Sequence, residues 1–404
     1  MDILRIITAG NVDDGKSTLI GRLLHDTGNI KVDILKSLEA QNEQGVNLAQ
    51  VTDGLRSERA QGITIDVAYK YFTTVDRKYI LTDAPGHFQY TKNLVTGASN
   101  VDAIIILIDA KNGITEQTKR HSLVAAFLNI PNVFVVVNKM DAVGYSKDVF
   151  EEIAKAYDII AVKLGILQIN YIPVSALYGD NVIVSSSALG WYSGFTLLAY
   201  LEKCEPYSSI EKPFRFSVQL VCSNTSVNVL MGKVASGSIS VGQAIAAYPS
   251  NEAIVVEQLT VAGRNSTNAR VGQSITLHVP EESHIAGGHL IYRQNEEPPL
   301  IADTIDVTLC WLENVPLLEN TEYYIQLNGT RVKCTVTKLS SKYNIDTLEL
   351  VKNNGTLIMN EIGKAKIYIE RAIAFDRYID NKATGRGILI DPVSHNTCGA
   401  FTID

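Results

Sequence analysis

Gly10-Asn11-Val12-Asp13-Asp14-Gly15-Lys16-Ser17-Thr18 sets two glycines five positions apart, directly ahead of a lysine and two hydroxyls. Gly-x4-Gly-Lys-Ser is the pattern of a loop whose backbone N–H groups converge on phosphate oxygens at a helix N-terminus. In such a loop Lys16 neutralises the outer phosphates and Ser17 holds a magnesium ion. A chance match somewhere in a chain of this length has a probability of roughly one in a hundred from average residue frequencies, so context must decide.

Three more stretches follow in order. Asp83-Ala84-Pro85-Gly86-His87 comes after the apolar run YILT, which puts a carboxylate where it can reach magnesium through water and the Gly86 N–H where it can meet a γ-phosphate. Asn138-Lys139-Met140-Asp141 follows VFVVV. Asp141 can accept both N1–H and N2–H of guanine, a donor pair that adenine lacks, and a buried acceptor of this kind discriminates by about 10⁴ to 10⁵. Asn138 is expected to tie this loop to the phosphate loop, and Lys139 to lie over the base. Ser175-Ala176-Leu177, after YIPV, supplies a backbone N–H for guanine O6. On consecutive strand ends the four stretches describe a site for GTP as substrate with Mg²⁺ as cofactor.

A long segment, residues 26 to 62, leads into ERAQGITID. Thr64 within it is the candidate switch threonine, whose hydroxyl closes on magnesium and whose N–H meets the γ-phosphate only while GTP is bound. Ser17, Thr64 and Asp83 form the expected metal set. The two carboxylates inside an anion-binding loop need an account. The grip on phosphate comes from N–H groups, so Asp13 and Asp14 can point away from the nucleotide, and their charge calls for compensation. A monovalent cation near Asp13, or polarisation of the nearby switch backbone, would supply it.

Residues so spaced must sit on strand ends. From residue 1 to about 205, the runs ILRIITA, YILTDA, VDAIIILIDA, NVFVVVNK and YIPVSA alternate with helical stretches. Continuous apolar runs suit parallel strands covered on both faces, which gives an α/β phosphate-loop domain, doubly wound around a mostly parallel sheet. KVDILKSLEA spaces Val32, Leu35 and Leu38 for a helix, and TEQTKRHSLVAAFLN follows a Thr115 cap. Beyond the polar stretch at 202–213 the period becomes two: Phe214, Phe216, Val218 and Leu220 alternate with Arg215, Ser217 and Gln219. TIDVTLCWL and RVKCTVTKL continue the alternation. Two all-β barrels follow from this. The expected domains are 1–205, 212–299 and 300–404.

The chain has 404 residues and a formal net charge of −7, a balance that argues weakly against a broad polyanion-binding surface. Cys204, Cys222, Cys310, Cys334 and Cys398 are far apart, with no C-x-x-C pair. Neither a disulfide framework nor a zinc knuckle is suggested, and a reducing cytoplasm is the simplest setting. MDILRIITAG has no signal-peptide character, and AIIILI is too short to span a bilayer. No membrane role is expected.

ERAQGITI ahead of DAPGH resembles the translation-factor GTPases, in which the histidine of that motif orients the attacking water. The resemblance therefore implies a catalytic role for His87, alongside Lys16 and Thr64. GNVDDGKSTLIGRLLHD, ERAQGITIDVAYKYF, DAPGHFQYTKNLVTGAS, IPVSALYGDN and FDRYIDNKATGRGILIDPVSHNT narrow it further. They resemble the GTPase subunit of heterodimeric sulfate adenylyltransferase, elongation factor Tu-like in architecture, and the resemblance covers the whole chain. It implies a smaller partner of the ATP-pyrophosphatase type that joins sulfate to AMP, with GTP hydrolysis here driving that step. The Asp13-Asp14 pair fits this branch. Phe88, where a polar residue is expected, and the ending TCGAFTID depart from the pattern, and no second phosphate loop suggests a fused kinase. The alternatives are an elongation-factor-like GTPase binding tRNA and the ribosome, and a non-hydrolysing scaffold.

Overall fold

A computed structural model describes residues 2–30, 33, 48–51, 66–87, 89, 91–207, 211–223, 227–280 and 283–404. Thr64, Phe88 and nearly all of KVDILKSLEA lie outside the described residues. The chain divides into two units: Met1–Tyr207 with Asn344–Glu349, and Ser208–Tyr343 with Leu350–Asp404.

In the first unit the apolar runs become strands β1 (Ile3–Ala9), β2 (Ala68–Thr73), β3 (Lys78–Asp83), β4 (Ala103–Asp109), β5 (Asn132–Asn138) and β6 (Ile169–Pro173). They form one sheet in the order β2-β3-β1-β4-β5-β6. All neighbours are parallel except the edge strand β2, which runs antiparallel to β3. All seven residues of β4 are buried, as a central strand covered on both faces requires.

The helices are α1 (Lys16–Asp26), α2 (Thr91–Ala98), α3 (Glu116–Phe127), α4 (Lys147–Leu164) and α5 (Leu197–Lys203). Helix α1 buries Leu19, Ile20, Leu23 and Leu24, a stripe at helical spacing that packs with Leu4, Ile6 and Leu81 in one core. Helix α3 starts where expected: the Thr115 hydroxyl accepts from the Thr118 N–H, and Thr118 Oγ1 accepts from the Thr115 N–H at 3.1 Å. This reciprocal cap contributes about 1 kcal/mol. Strand order reverses about β1, so the loops after β1, β3, β4, β5 and β6 open onto the sheet's C-terminal edge, where α/β sheets bind ligands.

The second unit contains two large antiparallel sheets, each around its own core, and two small two-stranded ones. One has eight strands drawn from residues 215–293. The other closes on itself: Thr321–Leu327, Arg386–Ile390, Thr397–Ile403, Leu300–Trp311, Ile362–Phe375 and Thr330–Tyr343 pair in turn, and the last pairs back to the first. The result is a six-stranded barrel. Among the described residues the eight-stranded sheet shows no closing ladder.

One expected alternation breaks. Phe214, Phe216 and Val218 are fully buried, but Leu220 is 55% exposed. The register against Val227–Ser236 shifts between Val218 and Leu220. That bulge turns Leu220 outward and gives its inward place to Val221, which packs against the core. Periodicity in the sequence cannot signal an extra residue of this kind.

A polar clasp joins the two sheets. Arg215, 1% exposed, donates from Nη2 to Asp376 Oδ1 at 2.8 Å and from Nε to Asp376 Oδ2 at 3.0 Å. Thr384 Oγ1 donates to the same carboxylate. Asn381 Nδ2 donates to Ser236 Oγ at 2.7 Å, and Thr330 Oγ1 to Gly288 O at 2.6 Å.

Candidate nucleotide site

The loop after β1 turns through two left-handed residues, Asp13 at φ 69° and Gly15 at φ 94°, and Gly15 caps α1. A side chain at Gly15 would stand 2.4 Å from Asn138 Nδ2, so glycine is needed for both backbone and space. Lys16 is buried, and its Nζ donates to Gly10 O at 2.9 Å and Asn11 O at 2.7 Å. Burial lowers the lysine pKa, while Asp83, Asp14 and Asp13 act to keep it charged.

The two aspartates part ways. Asp13 is exposed. Asp14 is 3% exposed, and its Oδ2 accepts the Asn11 N–H at 2.6 Å. Its side chain therefore folds back across the loop rather than pointing away from it. Burial pushes its pKa up to about 6, against the lowering effect of the Asn11 N–H and Lys16.

Asp83, at the end of β3, is buried and accepts the Thr8 hydroxyl at 3.3 Å. Ala84, Pro85 and Gly86 after it are buried, and His87 is exposed. A side chain at Gly86 would meet Lys16 Nζ at 2.5 Å and Gly10 O at 2.7 Å. The peptide after β3 thus lies directly on the loop after β1. His87 Nδ1 accepts the Gln89 N–H at 3.4 Å. Asn11, Gly86, His87, Gln117 and Arg120 line a cavity of about 420 Å³.

Asn138 links three loops. Its Nδ2 donates to Asp14 O at 2.8 Å, and its Oδ1 accepts the Ala176 N–H at 2.9 Å. Ser175 Oγ donates to Asp141 Oδ1 at 2.6 Å. Met140 is fully buried, anchoring the turn, whereas Leu177 is exposed. Lys139 takes a left-handed conformation, φ 60°, and its Nζ meets Asp109 Oδ2 at 2.8 Å. The structure therefore brings together Gly10, Asn11, Asp14, Gly15, Lys16, Asp83, Gly86, Asn138, Asp141, Ser175 and Ala176. Val12, Ser17 and Thr18 belong to the same loop and the start of α1. Thr64 lies outside the described residues.

Three residues went unnoticed in the sequence. Asp109 ends β4 level with Asn138 and holds Lys139; an acid closing an apolar strand, the signal that marked Asp83, could have found it. Gln117 donates from Nε2 to Gly86 O at 2.7 Å, with no motif to announce it. His121 is buried with Nδ1 unpartnered, and burial, aided by the Lys16 charge, drops its pKa to about 3.

The arrangement fits a nucleotide and a hard cation. Its glycines leave room that any side chain would fill, a buried ammonium faces the loop, and oxygen donors from Ser17 and Asp83 suit magnesium. Among the described residues no group of three or more His, Cys, Asp or Glu is placed to hold a metal, and no helix is long and apolar enough to cross a membrane.

Comparison with known proteins agrees with this geometry. The family model for the elongation factor Tu GTP binding domain matches residues 1–215, and that for the GTP-eEF1A C-terminal domain-like family matches residues 304–404. Sulfate adenylyltransferase subunit 1 of Francisella tularensis subsp. novicida (strain U112) is 42% identical over 406 residues, 99% of this chain and 86% of that protein. The subunit 1 of Aliarcobacter butzleri (strain RM4018) is also 42% identical, over 99% of this chain and 87% of its own length. The bifunctional enzyme NodQ of Rhizobium sp. (strain BR816) is 41% identical over the whole chain, which spans 64% of NodQ. Among solved structures, the GTPase-like domain of S. cerevisiae Ski7 bound to GTP aligns over 100% of this chain and 97% of its own, with a TM-score of 0.55 and 18% identity. That last likeness concerns the fold alone.

Proposed function

The chain belongs to the sulfate adenylyltransferase subunit 1 family of elongation factor Tu-like GTPases, and from that premise we propose that it hydrolyses GTP to drive adenylyl sulfate formation by a partner subunit. The observation that carries the nucleotide part is the Asn138 amide, which joins the phosphate loop to the Ser175–Ala176 loop and so assembles a guanine pocket from three strand ends.

Each residue then has a task. The N–H groups of residues 10 to 18 cradle the phosphates and Lys16 draws charge from them. Asp141, aligned by the Ser175 hydroxyl, accepts N1–H and N2–H of guanine, and the Ala176 region faces O6. Ser17, Asp83 and Thr64 would hold magnesium, which when bound would supply positive charge to the phosphate oxygens. Gly86 offers its N–H to the γ-phosphate. His87 orients the attacking water, whose oxygen bonds to the γ-phosphorus as the bridging oxygen leaves with GDP. The exposed Asp13 would hold a monovalent cation to balance its charge.

The partner is an ATP-pyrophosphatase-type catalytic subunit that attaches sulfate to AMP and releases pyrophosphate, in the cytoplasm. Sulfate is a weak nucleophile and the product a high-energy mixed anhydride, so a second phosphate cleavage supplies the driving force. Coupling requires the switch segments to contact the partner differently with GTP and with GDP. The tRNA-delivery alternative has less support: relatives at 41–42% identity over the full chain bear sulfate adenylyltransferase and NodQ names.

The test is co-purification from native cells. Recovery of a smaller ATP-pyrophosphatase-like subunit, with sulfate-dependent pyrophosphate release that GTP carries further towards product, is expected. An equal extent of adenylyl sulfate formation without GTP, or recovery of tRNA instead, would overturn the proposal.

A further inference from the structure

The seam between the two sheets of the second unit holds a cavity of about 360 Å³, bordered by Tyr248, His289, Asn328, Thr330 and Arg371 among others. No Asp or Glu lines it, in a chain whose acids outnumber its bases.

Three of the carbonyls at the cavity are already engaged. The carbonyl of Ala372 accepts the Tyr248 hydroxyl at 3.2 Å, that of Ala374 accepts Asn328 Nδ2 at 3.2 Å, and that of Gly288 accepts Thr330 Oγ1 at 2.6 Å. Donors remain. Arg371 is exposed, and its side chain makes no hydrogen bond or ion pair among the described residues. His289 Nδ1 accepts the Ala286 N–H at 3.3 Å, which assigns the proton of the neutral ring to Nε2. Burial and the Arg371 charge hold the His289 pKa below its ordinary value, while Glu252 acts the other way. That neutral form keeps Nε2 as a donor. Glu252 itself is occupied by the Ser283 hydroxyl and by the N–H and ring of His284.

The seam is built to present these groups. Ala302 pairs with Ile373 while Thr304 pairs with Tyr368, so residues 369–372 bulge out of that ladder and take Arg371 with them. On the opposite wall, Gly288 N–H donates to Val218 O at 2.8 Å and Val218 N–H to His289 O at 3.0 Å, which fixes the segment bearing the imidazole.

We propose that this cavity binds a small oxyanion, a sulfate or phosphate group either free or carried on a small ester, with Arg371 as its charged fork and His289 as a neutral donor. A guanidinium fork matches tetrahedral oxyanions, and the volume is at the small end of ligand sites. A ligand held there touches both sheets, so its binding stabilises the seam by linkage. No residue of the nucleotide site takes part, and the inference stands apart from the sulfate-activation reading.

The full chain, saturated with GDP and Mg²⁺ so that the phosphate loop is occupied, is titrated calorimetrically with sodium sulfate, sodium phosphate or glycerol phosphate at constant ionic strength. Saturable binding of one equivalent of at least one probe is expected, and the tighter binder identifies free anion or ester. Arg371→Gln should weaken it by on the order of ten- to a hundredfold, with GDP affinity unchanged. Arg371→Lys, keeping charge but not the fork, should fall between; circular dichroism checks that both variants fold. Absence of saturable binding for all three probes, or equal affinity in wild type and a folded Arg371→Gln, would sink the proposal.

Discussion

Asp14 is a carboxylate kept out of water beside a site for polyanions, and this has a measurable cost. Its folded pKa of about 6 lies above the ordinary value of 3.8, so the folded chain binds the proton more tightly than the unfolded one. Stability is therefore greatest with Asp14 protonated, falls as pH rises from about 4 to about 6, and is level above that. Asp14→Asn keeps an oxygen for the Asn11 N–H and removes the charge. Urea unfolding of this variant should show a gain on the order of 1–3 kcal/mol at pH 8 that vanishes near pH 4, and GDP should bind it more tightly at neutral pH. Gly86→Ala tests the other crowded point: a methyl 2.5 Å from Lys16 Nζ must displace the lysine or the strand end. Loss of GTP hydrolysis with a smaller loss of GDP affinity is expected from single-turnover assays and fluorescent-nucleotide titration. At this scale the motif residues were legible because their spacing is dictated by phosphate and guanine chemistry. Gln117 was not, because it acts through a partner distant in sequence, Gly86, whereas Asp109 closes an apolar strand as Asp83 does and only its bond to Lys139 needed the structure.

Among elements, the strand ends matter more than the strands. The Asn138 side chain, at the end of β5, bonds both to the loop after β1 and to the loop after β6, so Asn138→Ala should loosen all three together. Equilibrium titration should find GTP and GDP weakened alike, by roughly tenfold or more, since two buried hydrogen bonds are lost and their partners stranded. A variant that changed the GTP-to-GDP ratio instead would assign Asn138 to γ-phosphate sensing. The α/β order was readable because wholly buried strands make unbroken apolar runs. The bulge at Leu220 was not, since pairing register is a property of two strands and appears in neither alone. FDRYIDNKATG occupies an intermediate position. It stood out as a pattern, but only the structure shows that Asp376, Asn381 and Thr384 within it belong to the clasp.

For the molecule as a whole, that clasp makes two cores answer to one buried ion pair. Arg215→Ala would leave the Asp376 carboxylate facing a cavity, and breaking such a pair costs about 3–5 kcal/mol. Differential scanning calorimetry should show the transition of the second unit move to lower temperature, with the GDP-stabilised transition of the first unit unchanged. An unshifted profile would mean that the sheets hold together without the clasp. The change of period near residue 214 announced the second unit, but whether its sheets form one body or two depends on side chains such as Arg215, whose partner is 161 positions away.

The six-stranded barrel closes its ring of ladders, whereas the eight-stranded sheet ends in two strands of three residues each, Ala253–Val255 and Arg264–Ser266. A free strand edge is an invitation for another chain to add its own strand, and three residues offer too few N–H and C=O groups to hold one. Self-association by strand exchange is thereby discouraged in the β unit. The β unit can in this way expose a large amount of β-structure without its copies adhering to one another.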